Sequence, residues 1–201
     1  MRKIMMVIMG LIILILIGAG FFLHEFSQKV NYHGYLLSQG KAADFTLINQ
    51  YGAKTSLSQF RGRVVLLYFG YTHCPDACPM TLSLLKESME KLGNDQNRTQ
   101  VLFITIDPER DTVQKLKTYV PYFDRNFLGL TGSPQEIAKV AKDYRILYEK
   151  EPAEAGSNAG YFMNHSTSVY LINPKGELLL EYPITDLNPD RVAEDIRKIL
   201  G

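Results

Sequence analysis

Cysteine and net charge are both scarce in this chain. Its 201 residues carry two cysteines and a formal charge of +1, and each scarcity removes a class of protein. Two thiols cannot build the multi-bridge framework of a small disulfide-held module. A bridge between Cys74 and Cys78 would close so short a loop that it would constrain little of the unfolded chain. The near-zero charge excludes the usual nucleic-acid binder, because neutralising a run of phosphates needs a clustered excess of Lys and Arg. Partners are therefore expected to be proteins or small ions. Internal repeats are also absent, and a 46% hydrophobic composition suits one substantial domain with an appendage.

Charge is missing altogether from residues 4–23. At about 1.5 Å rise per residue such a run reaches across a hydrocarbon layer of roughly 30 Å. Residues 1–23 therefore read as a membrane anchor or uncleaved signal, with one transmembrane helix. Arg2 and Lys3 before the run hold the N-terminus in the cytoplasm and put the rest of the chain outside. Gly18-Ala-Gly20 is a passable cleavage site, so a removed signal peptide is the alternative. No cysteine follows the run, which argues against a lipid-linked anchor. Residues 24–40 are polar and irregular, a tether, and residues 41–201 read as one domain. Glycosylation acceptors at Asn97 and Asn164 fit a bacterial chain best, since a sugar on Asn164 would crowd His165. The expected location is the bacterial cytoplasmic membrane, with the domain on the extracytoplasmic, periplasmic side.

Within the domain, residues 64–69 and 101–106 are continuous apolar runs, the pattern of strands buried on both faces. Between them, Leu82, Leu85, Met89 and Leu92 recur at helical spacing and stop before Gly93. Strand, helix, strand in this order is a parallel βαβ unit with a right-handed crossover. A short hairpin is expected around Tyr51-Gly52, and a second around the Asn173-Pro-Lys-Gly176 turn. Further helices are expected near residues 112–119, 134–144 after a Ser133 cap, and 188–200. Gly129-Leu-Thr-Gly132 reads as a connection and residues 150–160 as a mobile surface loop. The fold class is α/β, a thioredoxin-like mixed sheet with helices on both faces.

Tyr71-Thr-His-Cys-Pro-Asp-Ala-Cys-Pro79 lies between the first buried strand and its helix. Proline is tolerated in a first helical turn, so Asp76 as N-cap with Pro79 three residues on is a consistent start. Cys78 then falls where the helix dipole favours a thiolate. Cysteines four apart across a helix start converge on one side and offer two sulfurs suited to copper(I). A trigonal copper site needs one added imidazole. His24 and His33 fall before the domain and read as solvated, while His73 turns away beside Cys74 as a group behind the ligands. His165 precedes an antiparallel strand that starts at the same sheet edge where the parallel strands end, so it reaches the thiols. Asp107 and Asp111 flank a Pro-Glu-Arg turn at that edge. For Asp111 the expected role is turn formation with a solvated charge pair to Arg110. Asp107 has two readings besides structure, partner docking or support of the metal site from behind its ligands.

The set formed by His73-Cys-Pro-Asp-Ala-Cys-Pro79, Asp107-Pro-Glu-Arg-Asp111, Gly129-Leu-Thr-Gly132 and His165 before the Val169-Tyr-Leu-Ile-Asn-Pro run resembles the Sco/SenC family. The resemblance covers the whole chain after the tether. It implies one copper ion per chain, copper(I) or copper(II), held by Cys74, Cys78 and His165. It also implies a metallochaperone that serves the copper-bearing subunit of cytochrome c oxidase and its dinuclear copper centre. A thioredoxin-like reductant and another copper chaperone are further expected partners. Such a protein is not a conventional enzyme, although Cys74 and Cys78 also form a redox pair able to reduce disulfides. Two other readings stay open: an extracytoplasmic thiol-disulfide oxidoreductase, and a copper- or redox-sensing module. Against the first stand the Cys-x-x-x-Cys spacing and the lack of any proline between Pro152 and Pro174.

Overall fold

The computed structural model describes residues 5–6, 9–10, 30–37, 40–153 and 160–201. Most of the 4–23 run, and with it the membrane span expected there, lies outside the described residues. No helix among the described residues is long and apolar enough to cross a membrane. Tyr32–Gly201 form one compact unit.

Its centre is the pair β4 (Val64–Gly70) and β5 (Thr99–Thr105), parallel and in register from Val64 opposite Thr99 to Gly70 opposite Thr105. Every residue of both strands is buried, which requires cover on both faces and accounts for their unbroken apolar runs. The crossover is α1 (Ala77–Leu92), whose buried stripe Cys78, Leu82, Leu85, Met89 and Leu92 follows the helical repeat. It stops at Gly93, where φ is 58°. The last helix, α4 (Pro189–Leu200), packs against α1 and is opened by Asn188, whose side chain accepts from the Asp190 and Arg191 amides.

Around this pair the sheet extends to eight strands. β9 (Ser168–Ile172) lies antiparallel to β4, with Val169 opposite Tyr68, and β10 (Leu178–Pro183) lies antiparallel to β9. On the other side, β6 (Leu128–Thr131) is parallel to β5, followed by β2 (Thr46–Asn49) and β3 (Lys54–Ser56). Helices α2 (Val113–Phe123) and α3 (Pro134–Asp143) flank β6 in the chain, α3 starting from a Ser133/Glu136 capping box. This is the thioredoxin-like mixed sheet expected from the sequence.

Three segments differ from expectation. Residues 128–131 are a strand, not a connection: a Cβ at Gly129 would fall 2.6 Å from Val120 of α2, so the glycine serves a close helix approach rather than a turn. Residues 150–152, expected in a loop, belong to β7 (Tyr148–Pro152), which pairs with β8 (Tyr161–His165) in an antiparallel ribbon separate from the main sheet, while residues 154–159 of that expected loop lie outside the described residues. The ribbon's first strand, Tyr-Glu-Lys-Glu-Pro, has no apolar alternation because it buries almost nothing. The end of the supposed tether also belongs to the domain, since β1 (Tyr35–Leu36) pairs with β10.

Candidate metal centre

β4 and β5 end at one sheet edge, and the chain leaving β4 carries the cysteine motif. Asp76 is the N-cap residue of α1, as expected, but its side chain makes no capping hydrogen bond. Cys78 is the second residue of the helix and fully buried, while Cys74 is half-buried at the rim. Both are free thiols, and the Cys78 amide donates to Cys74 Sγ at 3.3 Å. The thiol of Cys78 can sit this close to the sheet because Gly70 lies beneath it. A Cβ at Gly70 would fall 2.8 Å from the Phe103 ring and 3.0 Å from Cys78 Sγ.

The two sulfurs are electrostatically distinct. A hydrogen bond from the Cys78 thiol lowers the Cys74 pKa well below the ordinary thiol range, helped by the backbone amides of Cys78 and Asp76. Its hydrogen bond to Cys74, and its burial, push Cys78 the other way. The resting pair is therefore a thiolate at the rim sharing the proton held by a thiol inside. Cys74 should accordingly be the site of alkylation in the reduced, metal-free protein. Its rate should change little between pH 8 and 6.5, where an ordinary thiol slows about tenfold per pH unit. Peptide mapping after brief iodoacetamide treatment checks this. Preferential labelling of Cys78 would contradict the assignment.

His165 ends β8, immediately before β9, and so reaches the edge the sequence topology assigned to it. Its Nδ1 lies 2.8 Å from the Ser166 carbonyl oxygen. A carbonyl only accepts, so Nδ1 carries the hydrogen and Nε2 presents its lone pair. That Nε2 lies 3.9 Å from Cys78 Sγ. Burial lowers the His165 pKa, which favours the neutral ring. Tyr71 packs edge-on against the imidazole with ring centres 6.0 Å apart. The imidazole nitrogen thus approaches the Cys78 sulfur, with the Cys74 sulfur accepting from the Cys78 amide beside it; two sulfurs and one imidazole nitrogen are a donor set that suits copper and other thiophilic ions.

Cys74, Cys78 and His165 are not all drawn within 4.8 Å of one another; among the described residues, the three whose ligand atoms are that close are His73, Asp107 and Asp111. Their oxygens are already engaged. Asp111 is not solvated as expected but fully buried, accepting from the Thr72 amide (2.9 Å), the Thr72 hydroxyl (2.6 Å) and the Thr105 hydroxyl (2.7 Å). It is Asp107, also buried, that pairs with Arg110, and it further accepts from the Tyr161 hydroxyl at 2.8 Å. His73 lies 3.7 Å from Asp111 at the exposed end of this cluster, and His33 pairs with Glu194 away from the motif. His24 lies outside the described residues. Sequence reasoning passed over Thr72 and Tyr161, whose roles depend on contacts 39 and 54 residues away; no local pattern marks them.

The SCO1/SenC family model matches residues 36–201. The mitochondrial SCO2 homologue of Bos taurus is 39% identical over 157 residues, covering 77% of this chain and 58% of the relative. The chain thus spans a little over half the length of that relative. The copper-bound structure of Bradyrhizobium japonicum ScoI superposes with a TM-score of 0.71 at 34% identity, covering 79% of this chain and 99% of that one. BsSco, described as a member of the Sco family of cytochrome c oxidase assembly proteins in which a disulfide switch was identified, matches with a TM-score of 0.64 at 27% identity. That match covers 86% of this chain and 98% of BsSco.

Proposed function

This chain belongs to the SCO1/SenC family, and from that premise we propose that it is a copper metallochaperone acting in cytochrome c oxidase assembly. One copper ion is its cargo, held by Cys74, Cys78 and His165 and passed to the dinuclear copper centre on the oxidase's copper-bearing subunit. The observation that carries this reading is the approach of His165 Nε2 to Cys78 Sγ beside a second free thiol. Soft copper(I) is satisfied by two thiolates, and the neutral imidazole adds the nitrogen that harder copper(II) prefers. Cys74, at the rim, is where an incoming thiolate of the partner gains access to the ion. Cys78 and His165 retain it until that exchange is under way. Asp107 supports the site from behind its ligands.

Residues 1–23 anchor the chain in the bacterial cytoplasmic membrane, residues 24–40 lead to the domain, and the domain of residues 41–201 works on the extracytoplasmic side. The apolar run and the Arg2-Lys3 pair support this arrangement. A thioredoxin-like reductant returns an oxidised Cys74–Cys78 pair to the dithiol, and another copper chaperone supplies the ion.

A second reading is favoured by the unequal thiols. A rim thiolate beside a buried protonated partner is also the arrangement of an attacking and a resolving cysteine, and the disulfide switch described for BsSco is consistent with it. Transfer separates the two. Full-length chain in detergent, loaded with one equivalent of copper, is mixed with the reduced, metal-free soluble domain of an oxidase copper-bearing subunit. Appearance of the dinuclear centre's visible absorption supports delivery. Failure to retain copper, with rapid disulfide reduction that does not depend on His165, overturns the metallochaperone reading in favour of the reductase.

A further inference from the structure

His165 rides on the ribbon β7–β8, which shares no ladder with the eight-stranded sheet. Of its two strands only Met163 is buried. A lone two-stranded ribbon is marginally stable in water, yet its last residue must meet Cys78 to within bonding reach of a shared ion. Something has to fix its position.

We propose that the turn 107–111 is a two-armed bracket that sets the distance between the thiol loop and the imidazole, with Arg110 and Tyr161 as positioning residues. This rests on the copper reading above. One arm is Asp111, which holds the thiol loop through the Thr72 amide and hydroxyl, two residues before Cys74. The other arm holds the ribbon at the first residue of β8. Asp107 accepts from the Tyr161 hydroxyl and from Arg110 Nε. Arg110 Nη1 donates to the Tyr161 carbonyl at 2.9 Å, and the guanidinium lies over the Tyr161 ring, 3.6 Å from its centre. Tyr161 is thus gripped at hydroxyl, ring and backbone together. Glu109 adds an outer tie to Lys150 of β7 at 2.7 Å. The turn that joins the arms is closed by the Asp111 amide donating to the Asp107 carbonyl at 2.9 Å. Both carboxylates are buried, so neither arm is a loose surface pair.

A loosened ribbon removes the imidazole but leaves both sulfurs. Loss of the bracket should therefore weaken copper(II), which needs the nitrogen, much more than copper(I). Arg110→Met keeps an unbranched apolar stem in place of the arginine's and removes the guanidinium grip. Its copper(II) affinity should fall about 10- to 100-fold, with the imidazole nitrogen coupling lost from the copper(II) paramagnetic resonance spectrum. Copper(I) affinity, measured by chelator competition, should stay within about threefold. Tyr161→Phe, which keeps the ring and the fold, should give a smaller change in the same direction, and Arg110→Lys should restore part of it.

Hydrogen exchange of the metal-free protein tests the bracket without copper. Amides of β7 and β8 should exchange faster in Arg110→Met, while those of β4 and β5 keep wild-type protection. Unchanged ribbon exchange in both Arg110→Met and Tyr161→Phe overturns the bracket. So does an unchanged nitrogen coupling and copper(II)-to-copper(I) affinity ratio. A wild-type protein that binds no copper overturns the copper reading instead, and the exchange data still decide whether the bracket holds the ribbon.

Discussion

Cys78→Ser is expected to abolish copper retention, lowering the affinity for copper(I) by roughly a thousandfold or more, whereas His165→Ala should lower it only about threefold. The difference follows from ligand softness. A hydroxyl of nearly the same size replaces the sulfur in Cys78→Ser, so packing around Leu82 and Gly70 is kept while a thiolate is lost from a site that has two. The remaining Cys74 cannot hold copper(I) alone against cellular thiols. His165→Ala leaves both thiolates, and a two-coordinate copper(I) persists. For copper(II) the ranking tightens, because loss of the nitrogen leaves an ion that prefers mixed donors with sulfur alone, and His165→Ala should then cost about a hundredfold. Cys74→Ser should match Cys78→Ser in equilibrium affinity. Its loss also removes the exposed point of exchange, so transfer of any residual copper should slow. Chelator competition with copper(I), together with sulfur-to-copper(II) absorption near the visible edge, reads all three. Equal losses of copper(I) in His165→Ala and Cys78→Ser would contradict the division of roles.

The central βαβ unit and the approach of His165 to Cys78 were legible because their signals are local or topological. Val64–Gly70 has no charged or amide side chain and the centre of Thr99–Thr105 is the apolar run Val101-Leu-Phe-Ile104, and that pattern allows little besides buried parallel strands. Placing His165 at the edge that carries Cys78 needed only the direction of two strands relative to that edge, which the chain order supplies. Other features were out of reach for stated reasons. β7 carries Glu149, Lys150 and Glu151, so it has no apolar face to betray a strand; it is held by pairing with β8 and by the Lys150–Glu109 and Arg110–Tyr161 contacts. Gly129 and Gly132 look like turn glycines, yet Gly129 sits inside β6 because Val120 occupies the place of its Cβ. Asp111 looks like a solvated turn residue because the sequence cannot show that Thr72 and Thr105 converge on it. In each case the deciding partner lies far away in the chain or on another element, where periodicity and composition carry no information.

The same limit hid the attachment of the chain entering the domain, and it supports the largest stability effect expected here. Asp195 lies inside α4 and is fully buried. Its carboxylate accepts from the His33 amide at 2.8 Å, the Gly34 amide at 2.9 Å and the Tyr182 hydroxyl at 2.9 Å, with Lys198 Nζ 3.6 Å away. Burial and the neighbouring carboxylate raise the Tyr182 pKa, so the phenol remains a donor throughout the neutral range. Gly34 makes the approach possible, since a Cβ there would fall 2.6 Å from the Tyr182 ring. Asp195→Ala leaves two backbone amides and a phenol without their acceptor, and should destabilise the domain by about 3 kcal/mol or more. For a domain of this size that lowers the melting temperature by roughly 6–12 °C. Asp195→Asn should recover much of the loss, because the Gly34 amide, the Tyr182 hydroxyl and the His33 amide all donate to one oxygen, Oδ2, whose place the asparagine carbonyl can take, while its NH₂ meets only the second contact of the His33 amide and the Lys198 ammonium. Tyr35 and Leu36 should lose their protection from hydrogen exchange along with β1 pairing, before the rest of the sheet opens. A loss below about 1 kcal/mol in urea unfolding, with β1 still protected, would mean that the strand pairing alone secures this segment and that Asp195 is not its anchor.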